Sequence, residues 1–194
     1  MTDWEMKVHN FMCLNKFVKK GEIVFTGSSL CELFPINEML QNVEPRIRVY
    51  NRGIGGEPKK VFINIGTNDI SRPEYKRERL MSQYRKILMQ IQARLPETKI
   101  YVMSYYPVNR ELPGADPEAV KAQFGARTNA ELEEVNAEVE KMAEELGCAY
   151  INVFDCLLDE KGNLKAEYTI EGMHMYANGY AVVLEKLMPY LLEE

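Results

Sequence analysis

At 194 residues the chain is long enough for one well-cored domain and short for two. It is 46% hydrophobic and 27% charged, with a formal net charge of -5. That balance is ordinary for a globular protein and gives no electrostatic reason to expect nucleic acid or an anionic membrane surface as a partner. No stretch approaches the roughly 20 apolar residues of a membrane span. Met1 to Gly21 lacks the apolar core and small-residue cleavage site of a signal peptide, so a cytoplasmic protein is expected.

Taken in chain order, residues 1–21 interleave apolar and polar positions as a helix laid against a single domain spanning 1–194. An amphipathic helix there can pack in cis or in trans, which leaves room for a homo-oligomer. His9, in that helix, stands far from any other motif and reads as a surface or packing residue. Five β-rich runs follow: Ile23 to Thr26, Ile47 to Tyr50, Val61 to Ile65, Ile100 to Tyr105 and Ala149 to Val153. Between the third and fourth, Leu80, Tyr84, Ile87, Leu88, Ile91 and Leu95 form one apolar helical stripe ended by Pro96. Between the fourth and fifth, Asn129 to Leu146 repeats that spacing and Gly147 closes it. A last helix is expected over Ala177 to Leu192. Asn109 to Pro117 is the one long irregular stretch expected. Strands alternating with helices imply a parallel sheet covered on both faces, with ligands at the carboxyl ends of the strands.

Four cysteines (Cys13, Cys31, Cys148, Cys156) are scattered without a C-x-x-C pair. They read as reduced thiols, and neither a metal site nor a cofactor is expected.

Three motifs fall just past strand ends. Gly27-Ser28-Ser29 follows the first; Ser29 is either a plain N-cap or a nucleophile. Asn51-Arg52-Gly53-Ile54-Gly55-Gly56 follows the second, with glycines that let backbone amides approach a ligand. Gly66-Thr67-Asn68-Asp69 follows the third; Asn68 is either part of a turn or an amide donor aimed at developing negative charge. Near the C-terminus stands His174, one of two histidines, in Glu171-Gly172-Met173-His174. Imidazole is the side chain best suited to activate a hydroxyl near neutral pH, and a carboxylate three residues earlier can orient it.

These four blocks together resemble the SGNH (GDSL-like) hydrolase family over nearly the whole chain. The resemblance implies a three-layer α/β/α sandwich with a five-stranded parallel, flavodoxin-like sheet. It implies ester hydrolysis with Ser29 as nucleophile, His174 as base and Glu171 as its orienter. It also implies an oxyanion hole made by the Ser29 amide, the Gly56 amide and the Asn68 side chain. The substrate would be a small acyl ester. Ser28 replaces the family's aspartate in the first block, and Glu171 stands for its usual aspartate in the last, so a Ser29–His174 dyad stays open beside the triad. Only Glu57, Pro58 and Lys59 separate the glycine block from the third strand. That is short for a crossover between parallel neighbours, so a helix has been lost there or a stretch is missing, the second being favoured. A catalytically silent module that binds a sugar or acyl group is the alternative from another class. A phosphate or nucleotide binder has only the sheet topology and Gly55-Gly56 behind it.

Overall fold

A computed structural model describes residues 3–51, 58–112 and 116–193. Five strands, β1 (Ile23–Gly27), β2 (Val49–Asn51), β3 (Lys60–Asn64), β4 (Lys99–Met103) and β5 (Ala149–Ile151), form one sheet in the order β2-β1-β3-β4-β5. Every neighbouring pair is parallel. The helices are α1 (Asp3–Leu14), α2 (Ser29–Glu32), α3 (Ile36–Val43), α4 (Thr67–Ile70), α5 (Arg77–Arg94), α6 (Pro117–Phe124), α7 (Asn129–Glu145) and α8 (Ala177–Leu192). This is the three-layer, flavodoxin-like arrangement that the motifs implied.

The apolar runs of the strands feed both faces, because successive side chains alternate across a sheet. On one face Phe25, Phe62 and Tyr101 stack across three strands at 4.7 and 4.5 Å between ring centroids. Ile36 and Leu40 of α3 and Tyr180, Val183, Leu184 and Leu187 of α8 close over that row. On the other face Val24, Val61, Ile63, Ile100 and Val102 pack against Leu80, Tyr84 and Leu88 of α5 and Leu132, Val135 and Val139 of α7. Helices α5 and α7 are also pinned at one end. Arg77 meets Glu131 at 2.5 Å and Glu134 at 2.6 Å, and Tyr75 donates to Glu131 at 2.6 Å.

The three long helices and all five strands lie where periodicity placed them, with β2 shifted to 49–51. Helix α1 forms where a helix was expected; its Lys7 pairs with Glu32 at 2.9 Å on the surface, and its Met6 and Met12 are exposed. Helices α3 and α6 were not anticipated. The first is short, and its two core contacts, Ile36 and Leu40, make only one helical repeat.

Two expectations need correction. The longest irregular segment is 152–176, between β5 and α8, which holds two 3₁₀ turns, Asp155–Leu157 and Ala166–Tyr168, and two isolated antiparallel bridges, Leu158 with Leu164 and Thr169 with Met175. Strands β2 and β3 are not neighbours; they flank β1. Their connection is residues 52–59, and 52–57 lie outside the described residues, as do Gly56 and the question of a lost helix.

Candidate active site

Strands β1 and β3 pair through Gly27 and Asn64 at their carboxyl ends. After β1 the chain turns to the face covered by α3, and after β3 to the face covered by α5. The two connections therefore diverge, and in open parallel sheets this is the point at which the ligand crevice lies. Ser29 lies two residues past Gly27 and Asn68 four past Asn64, each at the head of one of these connections.

The turn that presents Ser29 is sterically dictated. A side chain at position 27 would put its Cβ 2.3 Å from the Asn64 carbonyl and 2.4 Å from Cys31 Sγ, so only glycine fits. Ser28 caps α2, its hydroxyl accepting from the Leu30 amide at 3.4 Å. Asn51, at the end of β2, donates to the carbonyls of Cys31 (2.7 Å) and Phe34 (3.1 Å) and holds the far side of the same turn. Cys31 is not a rival nucleophile: it is buried, and burial pushes its thiol up to about 12.

His174 comes from the long 152–176 segment, and its backbone is fixed by a small network. The Thr169 hydroxyl accepts from the Gly172 amide at 2.8 Å and donates to the His174 carbonyl at 2.9 Å, while the Ile170 amide donates to that carbonyl at 2.8 Å. Gly172 has φ +94° and presses so closely on Asn109 that a Cβ would sit 2.1 Å from its carbonyl. The Asn109 amide donates to the Gly172 carbonyl at 2.8 Å. Asn109, at the head of the irregular stretch expected over 109–117, is thus a buried support for the histidine segment.

Within this frame the sequence-predicted residues come together. Ser29 Oγ lies 3.1 Å from His174 Nε2. On the other side of the ring, Nδ1 contacts Glu171 Oε1, which also accepts from the His174 amide at 3.2 Å. A carboxylate at Nδ1 favours the tautomer with its proton there, leaving Nε2 as an acceptor facing the hydroxyl. The imidazole and the carboxylate are 30% and 32% exposed, enough for a substrate to reach them.

Across the crevice, Gly66 takes φ +95° and starts α4, the single turn that carries Asn68. Asn64 Nδ2 donates to the Ser104 carbonyl at 2.7 Å, and Thr67 Oγ1 reaches Asn64 Oδ1 at 3.4 Å, so the turn is braced from below. Asn68 itself is exposed. Gly56 lies outside the described residues. Tyr105 and Tyr106 are buried, so their part is packing; Tyr105 donates to the Ile65 carbonyl at 2.7 Å.

Sequence reasoning missed three residues around this site: Thr169, Asn109 and Arg127. The first two carry no signal apart from their contacts with the histidine segment. Arg127 sits in the turn between α6 and α7, is 2% exposed, and donates to the Thr67 carbonyl at 2.7 Å, to Asn68 Oδ1 at 3.3 Å and to Met173 Sδ at 2.6 Å.

A parallel α/β sheet with a carboxylate, an imidazole and a hydroxyl in series at its crevice defines an SGNH-type esterase. The chain belongs to the GDSL-like Lipase/Acylhydrolase family, whose model matches residues 36–182. The match begins after Ser29, so the serine is joined to the family's residues by geometry.

The chain is 26% identical to the N-acylneuraminate cytidylyltransferase of Escherichia coli O18:K1:H7 (strain RS218 / NMEC). That alignment takes in 87% of this chain but only 40% of the relative's length. It is 23% identical to the platelet-activating factor acetylhydrolase IB subunit alpha2 of Rattus norvegicus, over 97% of this chain and 85% of the other. Among solved structures, a candidate platelet activating factor from Streptococcus pneumonia superposes with a TM-score of 0.84 at 27% identity, covering 96% of this chain and 92% of that one. The acetylxylan esterase Axe2 of Geobacillus stearothermophilus shares the fold, with a TM-score of 0.63 at 18% identity over 91% and 98%.

Proposed function

We propose that this esterase removes a small acyl group, acetyl or short-chain, from an acylated carbohydrate or lipid, with Ser29 as its nucleophile. The observation that carries the reading is the series Ser29 Oγ, His174 and Glu171, with 3.1 Å between hydroxyl and imidazole. The acyl class is supported by two similar proteins whose names describe an acetylhydrolase and an acetylxylan esterase. The Ser29–His174–Glu171 series also weighs against the silent binding module, which needs no such relay.

In this mechanism Ser29 Oγ attacks the ester carbonyl as its proton passes to His174 Nε2. Negative charge moves to the carbonyl oxygen, where the Asn68 side-chain amide and the Ser29 backbone amide receive it. The family resemblance adds the Gly56 amide. The tetrahedral intermediate collapses as the imidazolium returns its proton to the leaving alcohol. Water then attacks the acyl-enzyme with His174 again as base, freeing the acid and restoring Ser29. Glu171 steadies the imidazolium in both halves.

Hydrolysis of p-nitrophenyl acetate and butyrate by the wild type, Ser29→Ala and His174→Ala tests the reading. Both variants are expected to lose nearly all activity, with acetate preferred over butyrate. If the wild type does not exceed the variants and Ser29 resists a fluorophosphonate probe, the nucleophile assignment is wrong.

A further inference from the structure

Arg127 is the least comfortable residue of the fold. A guanidinium keeps its charge at any ordinary pH, and burying one without a counter-ion is costly. Yet Arg127 is 2% exposed, its Nε has no partner, and it forms no ion pair with a carboxylate among the described residues. Burial alone pulls its pKa down to about 10, with no acid to raise it. A side chain held at such a cost is a natural place to look for function.

Its contacts converge on the site. Through Nη2 it bonds the Thr67 carbonyl and Asn68 Oδ1, at 2.7 and 3.3 Å; through Nη1 it meets Met173, the neighbour of His174, at 2.6 Å. A guanidinium can only donate, so the end of the Asn68 amide facing it must be the oxygen. That choice turns Nδ2, the donor, away from Arg127. Among the described residues Nδ2 has no acceptor, which leaves it available to a substrate oxygen. The same contact draws electron density toward Oδ1, so the Nδ2 protons become stronger donors. It also places an uncompensated positive charge one side chain away from where the reaction builds negative charge.

We propose that Arg127 is a positioning residue for the reaction: it fixes the Asn68 amide with its nitrogen toward the oxyanion and lends that site a buried positive charge. The inference rests on the reading of Ser29 as nucleophile and Asn68 as oxyanion donor. A residue that merely tied the α6–α7 turn to α4 would change stability and leave turnover to the folded fraction alone.

The test is a double-mutant cycle of Arg127→Met with Asn68→Ala, read in kcat and KM on p-nitrophenyl acetate. Arg127→Lys, Ser29→Ala and thermal unfolding of every variant run beside it. Removing an oxyanion donor costs about 100- to 1,000-fold. Arg127→Met, acting through that donor, is expected to lower kcat by about 10- to 100-fold with KM within about twofold. In the Asn68→Ala background the same change is expected to cost less than about threefold. Arg127→Lys, which keeps the charge, is expected to recover part of kcat.

A folded Arg127→Met with wild-type kcat overturns the proposal, as does an equal loss in both backgrounds. If Arg127→Met does not fold, Arg127→Lys carries the cycle. If neither folds, the residue is a determinant of the fold and the proposal falls. Hydrolysis that survives Ser29→Ala sinks the underlying reading instead, whereas Ser29-dependent hydrolysis indifferent to Arg127 sinks only this inference.

Discussion

Glu171 offers a sharp test of how this site is built, because the structure supports a triad where the motif departs from its usual aspartate. One of its oxygens contacts His174 Nδ1 and accepts from the His174 amide at 3.2 Å, so it both selects the tautomer and shapes the segment. A hydrogen bond to a charged group contributes about 1.5–3 kcal/mol. Here the two side chains are 32% and 30% exposed, so water replaces part of that, and the lower half of the range applies. The contribution grows as the imidazole becomes imidazolium, so it belongs to the transition state. At about 1.4 kcal/mol per decade, Glu171→Ala should lower kcat by about 10- to 40-fold with little change in KM. Glu171→Gln should do no better. Its amide nitrogen, turned to Nδ1, would favour the tautomer whose Nε2 already holds a proton and cannot take that of Ser29. Steady-state kinetics on p-nitrophenyl acetate and the rate of fluorophosphonate labelling read the two effects. A kcat for Glu171→Ala within about threefold of wild type would refute the triad and leave a Ser29–His174 dyad.

Three further outcomes follow from the same geometry. Gly172→Ala forces a side chain into φ +94° and against the Asn109 carbonyl 2.1 Å away; it should cost about 2–4 kcal/mol in urea unfolding and depress kcat as well, and a variant of unchanged stability would show that the segment yields freely. A thiol reagent should label exposed Cys13 and spare Cys31, whose burial holds it near 12; activity lost in step with Cys31 labelling would contradict that burial. The Arg77 guanidinium bonded to Glu131 holds that carboxyl below the usual carboxylate range. A lowered acid stabilises the fold above its unfolded pKa and loses that contribution as pH falls through its folded value. The stability gap between wild type and Glu131→Gln should therefore be open near neutral pH and close in acid, and a gap indifferent to pH would remove the ion pair from the account.

Much of this fold is legible because its strands and long helices carry their own periodicity. Val24 and Phe25, neighbours in one apolar run, end on opposite faces, as a strand covered on both sides requires. The stripe Leu80, Tyr84, Leu88 is buried as spaced. What escaped is decided by packing over distance. Helix α3 has too few core residues to show a period, and the 152–176 segment is ordered by scattered contacts such as Leu157 and Leu164 in the core rather than by any repeat. Ser29, Asn68, Glu171 and His174 were legible as candidates because each sits in a short contiguous block. Arg127 stands in Gly125-Ala126-Arg127-Thr128, a turn whose sequence would suit any exposed loop. Only the fold turns it inward.

The residues that no motif marks are the ones that hold the marked residues in place. Preorganised donors stabilise a transition state because they are already oriented when charge appears. A hydroxyl, an amide and an imidazole on three separate segments do not orient themselves. Asn51 holds the Ser29 turn, Thr169 and Asn109 hold the His174 segment, and Arg127 joins the Asn68 turn to Met173. The candidate reacting groups stay near the surface, with the imidazole 30% exposed, while these supports reach inward; Thr169, Asn109 and Arg127 are 4%, 7% and 2% exposed. On the proposed mechanism, partly exposed groups held on a buried frame are already in place when charge develops.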